Sequence, residues 1–455
     1  MSENDAVPAE EDLAAEEAVP AGEAVPAGED LAELAEVPAA GQASAAAVPG
    51  VPTDERIIRR EGLSGYVDDF VSRLRSGELG SLPVVLGLVV IVIVFESLNS
   101  VFLHPDNLVS IAQQIPSTGI IAIGVVLVLL LGEIDLSVGS VSGACAAILA
   151  VLNVNQGYTP AVAIILALAG GAAIGLLHGL VFTKLGVPSF VVTLAGLLIW
   201  LGLQLRILGT TGSINLPPDG PLVKFGQTDN AFILNALAYA LSAVAAVLLF
   251  LTMVREASRR RAAGLRARPV TEIAIRCALL FAVLAVVVLV LSQDRGVPWT
   301  LVVFLALVVL VDFVLRRTRY GRSVYAIGGN VEAARRAGLP VDRIRISIFM
   351  LASTFAALGG LMGAFYQGAV DQATGSGDTL VNSIAAAVIG GTSLFGGRGR
   401  ALSALLGVLV IGAISNGLLL LNLSSSVRYM ITGAVLVASV VVDSLARRGR
   451  QAAGR

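Results

Sequence analysis

The stretch LGEIDLSV, Leu131–Val138, follows directly on the apolar run Ile120–Leu131 and sets two carboxylates, Glu133 and Asp135, two residues apart. An acid at the centre of a lipid-facing helix costs about 2.5–3.5 kcal/mol, so an unbroken helix through this stretch is disfavoured. Gly132 can instead end the preceding helix as its C-cap. Asp135 or Ser137 can cap the next helix, accepting hydrogen bonds from otherwise orphaned backbone N–H groups. A carboxylate there also meets the positive end of the helix dipole. The acids then sit at a break between two helices. Such breaks are tolerated where they line a cavity or are buried in protein, so two readings stand: a simple turn at the membrane surface, or a functional break.

The composition around this stretch demands lipid. The chain of 455 residues is 56% hydrophobic and 14% charged, whereas soluble domains average about 25% charged residues. A net charge of −2 hides an asymmetry: residues 1–55 hold 14 Asp and Glu and no Lys or Arg, leaving 19 acids against 31 bases in the rest. That first segment is rich in Ala, Pro and Glu and repeats EAVPAG in tandem (Glu17–Gly22, Glu23–Gly28). Too few large apolar groups are present to offset ordering entropy, so 1–55 reads as a disordered acidic tail. Its acidic start and missing hydrophobic run do not read as a signal peptide. Residues 56–81 read as a cytoplasmic juxtamembrane segment, 82–445 as the transmembrane domain and 446–455 as a basic cytoplasmic tail.

A membrane helix needs about 20 apolar residues. Twelve stretches qualify, centred on 83–103, 113–131, 136–153, 160–182, 189–207, 232–254, 273–292, 299–315, 346–367, 379–394, 402–421 and 428–445. The fold class is therefore an all-α polytopic bundle of about twelve spans. The 379–394 stretch, broken by Gly390 and Gly391, is short enough to be a half-helix. With the N-terminus inside, the inner loops receive Lys184, the Arg-rich 255–268, 316–322, Arg398, Arg400 and the C-terminal tail. The outer loops 208–230 and 368–378 hold one Lys and no Arg. This satisfies the positive-inside rule and puts both termini in the cytoplasm. Small residues four apart (Gly139/Gly143, Gly171/Gly175/Gly179, Gly359/Gly363) predict close helix contacts.

The segment GGNVEAARRAGLP, Gly328–Pro340, reads as a short cytoplasmic helix over Val331–Ala337, joined to the neighbouring spans by polar linkers. Asn330 is its N-cap, Glu332 lies in its first turn, Arg335 and Arg336 in its last, and Gly338 is its stop. A helix so short is marginal alone and needs a surface to rest on. That surface is either the membrane or another protein. Cys145 and Cys277 lie in apolar stretches without metal or redox spacing and read as core residues. His178, among membrane glycines, is conspicuous, but one histidine makes no metal site. No phosphate-binding GxxxxGK[ST] loop, catalytic triad or ligand cluster is found, which argues against an enzyme and leaves an ion gradient or an ATP-hydrolysing partner as an energy source.

Four stretches, GEIDLSVGS (Gly132–Ser140), YAIGGNVEAARRAGLPV (Tyr325–Val341), AAVIGGTSLFGGRG (Ala386–Gly399) and ISNGLLLL (Ile414–Leu421), resemble in order and spacing the signatures of ribose/xylose-type ABC importer permeases. The likeness runs from about 82 to 445 with an interruption near 232–292. That extra span pair, with PSFVVTLAGLLIWLG (Pro188–Gly202), is most similar to the xylose-type branch. One departure stands out: the family form is commonly Gly-Gly-Ile-Asp, and this chain has Glu133 at the second place, so Asp135 is the residue that carries over.

The resemblance implies a permease subunit for a pentose such as xylose in a bacterial cell membrane, working as a pair of copies. ATP and Mg would be bound by a separate ABC ATPase subunit, and a periplasmic or lipid-anchored binding protein would deliver the sugar. Gly132, Glu133, Asp135, Ser137 and Gly139 form the family membrane motif. Gly328, Gly329, Asn330, Glu332, Ala334, Arg335 and Gly338 form the ATPase-coupling helix, and Gly390, Gly391, Thr392, Gly396, Gly397 and Gly399 the cytoplasmic glycine motif. Loop 208–230 with its NLPPDG turn is a candidate docking surface for the binding protein. Gln113, Gln114, Thr193 and Asn416 are candidate pathway groups, against each of which stands the plainer reading of an interhelical hydrogen bond. No nucleic acid, metal or catalytic residue is expected; membrane lipid is. The competing readings are a secondary transporter, for which Glu96, Glu133, Asp135 or Asp312 would be coupling acids, and an ABC permease for a nucleoside, autoinducer or amino acid.

Overall fold

A computed structural model of the chain describes residues 82–265 and 267–452. The expected tail 1–55 and juxtamembrane segment 56–81 lie outside the described residues. The helices are α1 (Leu82–Leu98), α2 (Pro105–Leu130), α3 (Val138–Ala150, continued by a π turn Val151–Asn155), α4 (Pro160–Lys184) and α5 (Ser189–Leu208). After strand β1 (Ser213–Asn215) come α6 (Pro221–Gly226), α7 (Asn235–Ala262), α8 (Val270–Leu291) and α9 (Trp299–Arg317). Then follow α10 (Arg319–Gly329), α11 (Val331–Arg336), α12 (Val341–Gln367), strand β2 (Ala369–Asp371), α13 (Gly377–Ile389), α14 (Ala401–Leu420) and α15 (Ser425–Ala452).

Helix α12 is the centre of the packing, and glycine decides how close its neighbours come. A Cβ on Gly171 of α4 would stand 2.6 Å from Ala357 Cβ, and one on Gly175 2.6 Å from Met350 Cα. On the other flank, a Cβ on Gly359 would meet Ser117 O of α2 at 2.6 Å, and Ser117 Oγ donates to Gly359 O at 2.8 Å. These two small-residue faces thus do bring helices together, where dispersion replaces the hydrophobic drive absent in lipid. Gly139 and Gly143 of α3 likewise allow close approach: a Cβ on Gly139 would meet Gly375 O at 2.8 Å and Leu380 of α13 at 3.1 Å, and one on Gly143 would run into Thr374 O and into Gln204 of α5.

Among the described residues, nine helices are long and apolar enough to cross a membrane: α2, α3 with its π turn, α4, α5, α7, α8, α9, α12 and α14. The apolar stretches of α1, α13 and α15 (Ser425–Ala438 in the last) fall on the other three expected positions but are shorter, so helix length does not confirm twelve spans. Thirteen-residue α13 rises about 20 Å against a hydrocarbon core of about 30 Å. It stops at Ile389, not at 394, because Gly391 (φ +98) closes it: its N–H donates to Val388 O and that of Thr392 to Ala387 O, a Schellman cap.

The expected polar linker before the short helix is wrong. Residues 319–329 form α10, N-capped by Thr318 Oγ1 on Gly321 N at 3.1 Å, with Gly321, Val324 and Ile327 buried. The arginines around it face outward and mask its apolar stripe in the sequence. The helix α15 runs on through Ala452, so most of 446–455 continues a helix.

The two ends of the bundle differ. At one end lie the break after α2, Lys184, the α7–α8 tip, α10, α11 and the loop after α13; Arg317 Nη2 to Glu256 Oε2 at 3.5 Å ties the Arg-rich tip to this end. At the other, β1 pairs antiparallel with β2, and α6 lies on α12 with Phe225 edge-on to Phe365 at 6.2 Å. The α7–α8 pair, at the position of the expected insertion, packs mainly on itself and touches the main bundle around Val109, Ile233, Val288 and Val297.

Candidate functional site

The three glycine motifs singled out in the sequence meet at the basic end. Helix α2 ends in a Schellman cap: Gly132 (φ +79) donates to Leu129 O at 2.9 Å and Glu133 N to Val128 O at 3.3 Å. The freed Leu130 carbonyl accepts from Gly397 N at 2.9 Å. A side chain on Gly328 would collide with that same Leu130 oxygen, and one on Gly396 would lie 2.6 Å from Gly328 O and 2.9 Å from Gly132. Only backbones as bare as these can cross so closely. Gly397 would sit 3.1 Å from Gly329, and Gly399 crowds Thr392 and Leu130. Tyr325 of α10 closes the junction by donating to Gly399 O at 2.8 Å. Burial first, then Asp312, raises the Tyr325 phenol above its usual value. Gly390 abuts Ser403 at the start of α14, Gly329 has open space, and Thr392 is buried with its Oγ1 unpartnered.

The helix α11 projects from this junction. Asn330 Oδ1 accepts from Ala333 N at 2.9 Å, Ala334 is buried, and Gly338 (φ +77) forms the stop with Gly338 N on Arg335 O and Leu339 N on Ala334 O. Both caps are those read from the sequence, though the helix closes one residue earlier. Glu332 and Arg335 pair at 3.8 Å with side chains 69% and 57% exposed. Beside them a cavity of about 600 Å³ is lined by Lys184, Arg335, Leu339, Asp342 and Arg343.

Inside the break the backbone is irregular, and both acids are largely buried. Asp135 Oδ1 accepts from Ser137 N at 2.8 Å and from Ser137 Oγ at 2.6 Å, so Asp135 makes the turn and Ser137 itself caps no N–H. His178 Nδ1 lies 3.5 Å from Ser137 Oγ. Trp200 Nε1, which can only donate, is 2.9 Å from His178 Nε2, so that nitrogen accepts. A chain Trp200–His178–Ser137–Asp135 results, half-buried at Trp200 and buried from His178 onward, with Asp135 Oδ2 buried and unpartnered. His178 has room because residue 196 is glycine: a Cβ there would lie 2.5 Å from its Nε2. Glu133 turns the other way. Its Oε1 accepts from Arg345 Nη2 at 2.9 Å and its Oε2 from Ser189 Oγ at 2.7 Å.

The four pathway candidates are scattered. Asn416 and Asn107 exchange two amide hydrogen bonds of 2.9 Å. Gln113 donates to Gly226 O at 3.3 Å. Thr193 is fully buried and bonded to Ser189 O at 3.0 Å. Gln114 is half-buried with no side-chain bond among the described residues. Sequence reading missed Ser189, Trp200, Tyr325, Arg345 and Gln204, whose Nε2 donates to Asp371 O at 2.9 Å and Thr374 O at 2.8 Å; of these, Gln204 carried a signal as a polar residue within an apolar span, and Arg345 as the innermost charge of α12, beyond Asp342 and Arg343. Among the described residues no cluster of His, Cys, Asp and Glu could hold a metal.

A family model described as the permease component of a branched-chain amino acid transport system matches residues 107–440. The chain belongs to this permease family. It is a multi-pass membrane transport component and not an enzyme. It is 32% identical to the xylose transport system permease protein XylH of Escherichia coli over 378 residues, covering 83% of this chain and 95% of that one. It is 33% identical to the ribose import permease protein RbsC of Bacillus subtilis, covering 81% and 94%, and 30% identical to that of Escherichia coli, covering 79% and 92%. No solved structure matches. The resemblance read from the four motifs is borne out.

Proposed function

We propose that this permease is the membrane subunit of an ATP-binding-cassette importer and carries a monosaccharide, a pentose such as xylose, across a bacterial cell membrane. The observation that carries this is α11: a capped six-residue helix held out at the basic end on a junction of three bare glycine backbones. A helix so short needs a partner surface, and its root touches the end of α2 and the loop after α13. Xylose and ribose permeases match it over most of their length, which favours a sugar over an amino acid or nucleoside. The basic end faces the cytoplasm on this reading.

Two copies form the pathway, an ATPase carrying ATP and Mg receives α11 of each, and a soluble binding protein docks on the end that bears β1 and β2. ATPase closure binds one permease state better than the other, and that difference in affinity biases alternating access. A neutral sugar calls for amides and hydroxyls along its route, for which Gln113, Gln114, Thr193 and Asn416 are the candidates, Gln114 being the least committed. The test is reconstitution in proteoliposomes with the ATPase and binding protein encoded beside it. ATP-dependent uptake of labelled xylose in preference to ribose is expected. Uptake by the chain alone under an ion gradient would overturn the reading, and uptake of ribose alone would correct the sugar.

A further inference from the structure

Glu133 occupies the place where the common family form has glycine, and the structure gives its carboxylate two partners from distant elements. Arg345, in the second turn of α12, reaches it through Nη2 at 2.9 Å, and Ser189, the first residue of α5, through Oγ at 2.7 Å. The two charged side chains are only 15% and 17% exposed. The guanidinium also lies over the ring of Phe182 on α4, 4.8 Å from its centre, while its Nε is buried without a partner. Nothing else among the described residues is bonded to that guanidinium. The carboxylate therefore ties the break to the starts of α5 and α12, and the guanidinium it holds also covers the end of α4.

Arg345 is also nine residues beyond Arg336, the last residue of α11, and the link between them is short: the Gly338 cap and then Pro340, which leads straight into α12. A displacement of α11 must move the first turns of α12. With Arg345 held by Glu133, that movement either carries the break and α5 along or ruptures a poorly solvated ion pair, and an uncompensated charge left there is unfavourable. We propose that Glu133 is a positioning residue that transmits movement of α11 to the break before α3 and to α5. A glycine at 133 leaves α12 free to move without them.

Hydrogen exchange on the purified permease tests this with no partner present. In Arg345→Met, amides of Ile134–Val141 and of Ser189–Val192 should both exchange at least tenfold faster than in the unaltered chain. Glu133→Gln, which keeps shape and loses charge, should show the same pattern more weakly, and the reversed pair Glu133→Arg with Arg345→Glu should restore protection. Faster exchange confined to α12 would overturn the proposal. A second arm rests on the ATP-driven reading. In the reconstituted importer, Glu133→Gln should lower sugar taken up per ATP hydrolysed about tenfold, with half-saturation by sugar unchanged. A purely structural role would lower the amount of folded importer and leave that ratio intact, which would likewise overturn it. If the unaltered importer showed no ATP-driven uptake, the proposed function would fail and the exchange arm would still decide the role of Glu133.

Discussion

Gly328 and Gly329 are adjacent and alike in sequence, yet their surroundings assign them opposite sensitivities. A methyl on Gly328 runs into the Leu130 carbonyl, while one on Gly329 meets nothing within 4 Å. Overpacking against a backbone atom costs about 1–3 kcal/mol. Gly328→Ala should therefore lower the thermal midpoint in detergent, and Gly329→Ala should leave it nearly unchanged; equal effects would mean that the junction is looser than described. Asn107 and Asn416 offer a second test. The two amides bond each other in a buried position, and Asn107 also donates to Phe102 O at 2.8 Å, so Asn416→Leu alone leaves the Asn107 oxygen without its donor, at about 1–2 kcal/mol. The double variant Asn107→Leu with Asn416→Leu should recover part of that loss in the same measurement. A single variant as stable as the parent would show that the pair contributes nothing.

At the scale of one element, α11 separates stability from function. Its Glu332–Arg335 pair is exposed, and such pairs contribute about 0–1 kcal/mol. Glu332→Arg or Arg335→Glu should thus leave expression and thermal stability within about 0.5 kcal/mol. ATPase recovered on co-purification, and uptake, should both fall sharply. Normal assembly and uptake in both reversals would sink the docking role of α11. Gly338 is different: at φ +77 an alanine is strained by about 1–2 kcal/mol, so Gly338→Ala should fray the helix end. The element also shows how far local signals reach. Asn330 and Gly338 are legible as its two caps because capping is decided within four residues. The neighbour α10 was not, since its eleven residues also hold Arg319, Arg322 and three glycines, and only the packed structure shows that Gly321, Val324 and Ile327 share a buried face.

For the whole molecule, sidedness is the measurable quantity. Impermeant maleimide should label a cysteine placed at Ala263, in the α7–α8 tip, only from the cytoplasmic side, and one at Asp219, in the loop before α6, only from outside. The native Cys145 and Cys277 are both buried and should stay unlabelled. Labelling of both sites from one side would break the alternation on which the topology rests. Removal of residues 1–50, acidic and poor in large apolar groups, should leave membrane insertion and uptake intact at equal expression. A large loss of uptake would give that tail a role that its composition does not suggest.

By itself the sequence determined the class of this protein and the positions of its apolar helices, though not the short α6 or α10. Lipid demands long apolar runs, and a glycine or asparagine beside such a run marks where the backbone must turn. It also determined the motifs that place the chain among the permeases. Tertiary structure alone decided which motifs meet. Gly132, Gly328 and Gly396 are separated by up to hundreds of positions, and helical periodicity says which face of a helix is apolar without saying whose face it will touch. The same holds for charge: Glu133 reads as a costly acid until Arg345 and Ser189 come to it from two other helices. His178 stays a lone histidine until Trp200 and Ser137 close on either side of its ring. Partners for a buried polar group are chosen by packing in three dimensions, and packing brings together residues that no local pattern connects.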